Sequence, residues 1–204
     1  MRKTLNIIIM ESTAKKLIVF LSLLAVSHLA NAQFEQKFTL QVAGGYVHAI
    51  SPESFSEVFT DGFSLDAGAQ YNFNRSTSLV VLAKYSTFFA TDFIVEANYN
   101  LIGISICPKH KLISTGRVHP YVFGGVSINY YSFTLPLSSG ESAFKTPWEI
   151  RPGFTGGVGI DLSITDNLGL FWQGGLGGVA ADDMQLSIYT QFGINISMFK
   201  ARTL

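Results

Sequence analysis

Period-two alternation of apolar and polar residues constrains this chain more than any other feature. In GFSLDAGAQYNFN, residues 62–74, Phe63, Leu65, Ala67, Ala69, Tyr71 and Phe73 occupy the odd positions, with Ser64, Asp66, Gly68, Gln70 and Asn72 between them. Such alternation specifies a strand with one apolar and one polar face. Similar segments cover residues 37–48, 78–88, 92–101, 119–131, 152–165, 168–178 and 185–199, which makes eight. Each is close to the about 9–11 residues that a tilted strand needs to cross a bilayer, and no stretch beyond Gln33 reads as an amphipathic helix.

The charged residues decide which face meets the outside. Asp66, Lys84, Glu96, Arg151 and Asp161 all fall on the polar parity of their segments, and charge on a lipid face is heavily penalised. The other polar positions hold Ser, Thr, Asn, Gln and Gly rather than the Lys and Glu of a water-washed surface. Only 14% of the chain is charged, against about 25% in an ordinary soluble protein, too little to coat an exterior. A soluble barrel would reverse the arrangement, with an apolar interior and a charged exterior. The sequence therefore predicts an enclosed polar interior and an apolar, lipid-facing outside. The five charges are expected to form one buried polar network in the lumen, because buried charges need partners. Phe63, Leu65, Tyr71, Phe73, Phe93, Trp172 and Phe192 are expected on the lipid side. Tyr71 and Tyr99 lie toward one end of their segments and Tyr85 and Tyr130 toward the other, as interfacial girdles require.

The first 32 residues read as an address. Lys15 and Lys16 precede the apolar run Leu17 to Val26, and Ala30, Asn31 and Ala32 fit the small-x-small cleavage rule. The run is shorter than the about 20 apolar residues of a spanning helix. Residues 1–32 are thus expected to be a signal peptide, starting at Met1 or Met10, and residues 33–204 a single barrel domain. No cysteine follows the cleavage site, so no lipid anchor is expected there. After cleavage 10 basic and 13 acidic residues remain, a balance that suggests no nucleic-acid partner. Cys107 is the one cysteine and has no disulfide partner within the chain.

Asn74-Arg75-Ser76 and Thr165-Asp166-Asn167 read as tight turns, while residues 49–60 and 132–149 read as longer loops. Short turns at one end and longer loops at the other are the habit of membrane barrels. Residues 86–92 read as a short joint on the loop side and residues 106–118 as a long one on the turn side. Around Leu101 and Ile102 the apolar parity switches to Ile102, Ile104 and Ile106, which predicts a bulge or a frayed strand end.

Candidate chemistry is sparse. Gly175 to Ala180 matches G-x-G-x-x-A, but that motif binds nucleotides only between a strand and a helix, and here a strand follows. Glycines on the inner face are instead expected to make room for Phe171 and other bulky residues. A lipid-modifying barrel enzyme would need a base-activated nucleophile. His48, His110 and His119 offer no His-x-Ser, and His48 with Ser51, Glu53 or Glu57 is the one conceivable cluster. No spacing suggests a metal, and the Pro108-Lys109-His110-Lys111 run reads as a solvated turn. Eight strands leave an interior just wide enough for side chains, which argues against a general pore. Phe55, Phe59, Phe133, Leu135, Leu137, Phe144 and Trp148 in the longer loops then form the expected functional surface, with strand extension or packing against each other as the alternative for some of them.

The eight segments, RVHPYVFGGVSINYY (117–131) and GFTGGVGIDLSIT (153–165) resemble the small outer-membrane β-barrel family, the OmpA/OmpX-like, porin-family proteins. The resemblance implies an all-β, eight-stranded antiparallel up-and-down transmembrane barrel in the outer membrane of a Gram-negative bacterium, with both ends in the periplasm. It also implies insertion by the barrel assembly machinery, guided by a final strand ending in an aromatic residue. Phe199 nearly occupies that place, with five further residues after it. The sequence thus predicts a non-enzymatic barrel without metal or cofactor, surrounded by outer-membrane lipids. Its expected role is structural or interactive, through an extracellular ligand of the loops. A narrow pore and a lipid A-modifying enzyme are the alternatives.

Overall fold

The computed structural model describes residues 38–90, 98–135, 144–181 and 183–198. The expected signal peptide, Phe93, Glu96, Leu137 and Phe199 lie outside them. The elements are β1 (Phe38–Ser51), α1 (Glu53–Ser56), β2 (Phe59–Asn72), β3 (Thr77–Ala90), β4 (Asn98–Lys111), β5 (Val118–Leu135), β6 (Phe144–Lys145), β7 (Glu149–Ser163), β8 (Leu168–Ala180) and β9 (Met184–Ser197). The eight long strands pair antiparallel, in sequence order apart from β6, which pairs with the loop end of β5. Pairing of β1 with β9 closes the sheet into an up-and-down barrel. Closure leaves none of the eight long strands as a free sheet edge, which lipid could not hydrogen-bond.

The alternation seen in the sequence becomes the wall. Val42, Leu65, Val81, Ile104, Val126, Val158, Leu170 and Phe192 point outward, one from each long strand, with Val126 70% and Phe192 68% exposed. Such a band requires an apolar solvent. Strands of 13 to 18 residues exceed the about 9–11 needed to cross, so their ends stand beyond the apolar band. Side chains close two of the tight turns. Asn74 Oδ1 accepts from the backbone N–H groups of Ser76 and Thr77 at 2.8 and 2.7 Å, and Thr165 Oγ1 accepts from those of Asn167 and Leu168.

Three places differ from the sequence reading. Residues 86–90, read as part of a short joint, continue β3. Residues 106–118 are not a long inner loop: β4 runs on to Lys111, and the connection is residues 112–117. Nor is there a bulge near Leu101, because β4 keeps an unbroken register with β3 from Asn98 to His110. The outward parity of Ile102, Ile104 and Ile106 is the parity of the whole strand.

Glycines let bulky side chains enter the lumen. A Cβ on Gly159 would overlap the Tyr121 ring, and one on Gly193 would overlap the Phe171 ring. At Gly177 a Cβ would meet only Ser187 Oγ at 3.6 Å and a backbone oxygen at 4.0 Å. Gly159→Ala is therefore expected to destabilise the barrel by about 1–3 kcal/mol. Gly177→Ala is expected to stay within about 0.5 kcal/mol. Urea unfolding midpoints of the two variants in one lipid system check the contrast.

Candidate functional site

The lumen is filled in layers. At the loop end Val47, Ala49, Phe55, Phe59, Phe88, Tyr99, Tyr131, Val179 and Tyr189 pack together. Phe55 comes from α1, whose short turn lowers it between the strands, 5.0 Å from Tyr99 and 5.6 Å from Phe88 between ring centroids. Tyr99 stacks on Tyr131 at 5.5 Å and donates its hydroxyl hydrogen to Gln185 Oε1 at 2.6 Å. This is an aromatic plug across the mouth.

Below the plug the filling turns polar. Gln191, fully buried, donates to Ser64 Oγ at 2.8 Å and accepts from Gln173 Nε2 at 2.7 Å. Gln173 accepts in turn from the Tyr121 hydroxyl at 3.1 Å. Asp66 lies opposite Lys84 in the β2–β3 register, and the Lys84 ammonium stands 3.9 Å above the Tyr189 ring. Two cavities beside this layer measure about 40 and 10 Å³, room for single waters.

An ion pair occupies the turn end of the lumen. Lys109 Nζ is 2.8 Å from Asp161 Oδ2 and 3.0 Å from Oδ1, and lies 3.7 Å above the Tyr121 ring. Lys111 approaches Asp161 at 3.7 Å, and Asn195 Nδ2 donates to Asp161 Oδ1 at 3.2 Å. Lys109 is only 4% exposed. It is not part of a solvated turn, as the run 108–111 suggested. Carrying the Ile102, Ile104, Ile106 parity three residues further would have turned Lys109 inward.

The charges predicted as one network are therefore separated. Asp66 and Lys84 share the middle layer, while Asp161 belongs to the turn-end pair with lysines the sequence reading did not choose. Arg151 sits at the mouth, donating to Glu149 Oε2 through Nε at 3.2 Å and Nη2 at 2.9 Å. Glu96 lies outside the described residues. Strand register sets their heights: Asp161 meets Lys109, Arg151 meets Glu149, and Asp66 faces Lys84 across the β2–β3 pair.

Of the residues expected on the lipid side, Phe63, Leu65, Phe73, Tyr85, Tyr130, Trp172 and Phe192 are exposed on the outer wall. Tyr71 lies beside Phe73 at the turn end, with ring centroids 5.3 Å apart. Tyr130 stacks on Trp148 at 4.7 Å. The Trp172 indole donates to Thr190 Oγ1 at 2.9 Å and the Tyr85 hydroxyl to Asn100 Oδ1 at 2.9 Å, so both polar tips are satisfied on the wall. Tyr99 must be corrected: it is 2% exposed and points inward. The inward parity of β4 and the other plug rings hold it there. Phe93 lies outside the described residues.

The His48 cluster is also corrected. His48 Nδ1 lies 2.7 Å from Asp61 Oδ1, and the same oxygen accepts a hydrogen bond from the Tyr46 hydroxyl. These three residues share the outward parity of β1 and β2, and a register irregularity between Ala49 and Ser51 separates Ser51 from them. Among the described residues no hydroxyl or thiol other than that of Tyr46 is within hydrogen-bond reach of His48, and no three His, Cys, Asp or Glu residues converge as for a metal.

Above the plug a cavity of about 360 Å³ opens between Pro52, Ser54, Phe55, Phe59, Tyr131, Phe133, Asp183 and Gln185, among others. Its volume falls within the about 300–1,000 Å³ of small-molecule sites. Of the two loop residues Phe55 and Phe59, which pack against each other with ring centroids 5.8 Å apart, the first comes from α1 and the second opens β2, and both line this cup.

No protein-family model matches the chain, and a search of curated proteins finds no relative. Solved structures do match in shape. Neisserial surface protein A superposes with a TM-score of 0.57 at 19% identity, over 79% of this chain and 97% of that one. The outer membrane protein OprG of Pseudomonas aeruginosa superposes with a TM-score of 0.50 at 11% identity, over 80% and 96%. With its closed antiparallel wall, lipid-matched exterior and filled polar lumen, the chain has the fold of the small eight-stranded outer-membrane β-barrels.

Proposed function

We propose that the chain is a non-enzymatic outer-membrane protein of a Gram-negative bacterium, with its turn end in the periplasm and its loop end outside. Its role is structural or interactive, and its binding surface is the loop end. One observation carries this reading: an apolar wall surrounds a lumen that side chains fill and an aromatic plug caps. Such a barrel offers lipid and the cell exterior a surface, and offers solutes no passage. The described loop-end residues form the cup, the feature of the lumen best suited to a ligand. The two similar structures are those of a surface protein and an outer membrane protein, which supports the placement.

The readings separate experimentally. The protein is expected in the outer-membrane fraction, with gel mobility that shifts on heating. In planar bilayers it is expected to give no conductance steps above background, and overexpression is expected to leave lipid A unchanged. Recovery from the soluble periplasm would overturn the membrane assignment. Regular conductance steps would restore the pore, and a lipid A change lost in His48→Ala would restore the enzyme.

A further inference from the structure

The cup above the plug has a chemical character that its lining defines. Its walls and floor are aromatic and aliphatic: Phe55, Val58, Phe59, Tyr99, Tyr131 and Phe133. Its polar lining is Ser54 of α1, Asp183 of the β8–β9 connection and Gln185 at the start of β9. The Gln185 carbonyl oxygen already accepts from Tyr99, which leaves the Asp183 carboxylate as the charged acceptor. No basic side chain lines the cup among the described residues. The nearby Arg151 is paired with Glu149, and α1 adds Glu53 and Glu57 to the same end.

An anion would meet this acid-rich rim without a counter-charge, and a large polar solute would leave the aromatic floor unused. A compact apolar body carrying one ammonium group uses both: the hydrocarbon covers the rings, and the cation meets the exposed Asp183 carboxylate at the rim. We propose that the cup is a binding site for small hydrophobic amines. This deepens the reading of the loop end as the binding surface and rests on it.

The test uses the full barrel in lipid nanodiscs, with amide NMR shifts as the readout and empty nanodiscs as the partition control. The probes are 2-phenylethylammonium, its neutral analogue 2-phenylethanol and the anion 3-phenylpropionate. The ammonium is expected to bind most tightly of the three and to shift Phe55, Tyr99, Asp183 and Gln185. Asp183→Asn, an exposed loop change that leaves the wall untouched, is expected to weaken the ammonium about threefold or more. Its affinity for 2-phenylethanol should not change. Equal binding of all three probes at the cup would overturn the amine assignment and leave the binding surface standing. If no probe shifts the cup residues of a barrel that still migrates as folded, the cup is not a site for small hydrophobic ligands, and the amine assignment falls.

Discussion

Asp161→Ala is expected to lower the stability of the barrel by about 3–5 kcal/mol, the size of effect found when one partner of a buried ion pair is removed. Asp161 is the counter-charge for Lys109 at 2.8 Å and for Lys111 at 3.7 Å. Without it, Lys109 keeps only the Tyr121 ring and Gln70 Oε1, at 3.5 Å, as described partners. An ammonium so enclosed either loses its proton or draws water into the wall, and both destabilise the folded state. Pairing the change with Lys109→Met should recover most of the loss, because well-packed apolar replacements of a buried pair are often neutral or better. Urea unfolding in lipid vesicles, followed by heat-modifiable migration, reads both variants. An Asp161→Ala midpoint equal to the parent's would show that the pair does not hold the turn end together.

Val126→Arg is expected to cost about 2–4 kcal/mol in a bilayer, the penalty for arginine near the midplane of a barrel's lipid face. Val126 lies midway along β5, faces outward, and is flanked by Ile106 on β4 and Phe154 on β7. Its cross-strand neighbours, Ile106 and Phe154, offer the guanidinium no carboxylate, so it must reach for a headgroup. On a soluble protein the same substitution, at a residue 70% exposed, would fall within about 0.5 kcal/mol. A near-neutral result in vesicles would therefore contradict the lipid-facing assignment of the whole outer wall.

The fold was legible because strand alternation is a local property. The parity of Phe63, Leu65 and Tyr71 against Ser64, Asp66 and Gln70 is visible in one stretch of residues, and eight such stretches with few charges leave one architecture. The layers inside the lumen were less legible. Parity gives the direction of Lys84 or Asp161 but not its height, and height decides that Asp161 meets Lys109 rather than Lys84. Strand ends were the weakest point. The switch at Leu101 looked like a bulge because residues 92–101 were read as one strand; with β4 starting at Asn98, Tyr99 takes the inward parity of Gly103 and Ser105. The cup could not be read at all, since it needs α1 to place Phe55 and Phe59 beside Tyr131 and Gln185, residues distant in the chain.

The sequence by itself determined that this chain is a closed β-barrel with a polar inside and a lipid-matched outside. That conclusion needs only a period of two, the parity of the charges and their scarcity. Tertiary structure alone decided what fills the barrel: an aromatic plug at the loop end, a glutamine and tyrosine chain below it, and the Lys109–Asp161 pair at the turn end. The physical reason is strand tilt and stagger. Which side chains share a level depends on the register of every strand pair around the closed wall, and register is a property of the assembled sheet.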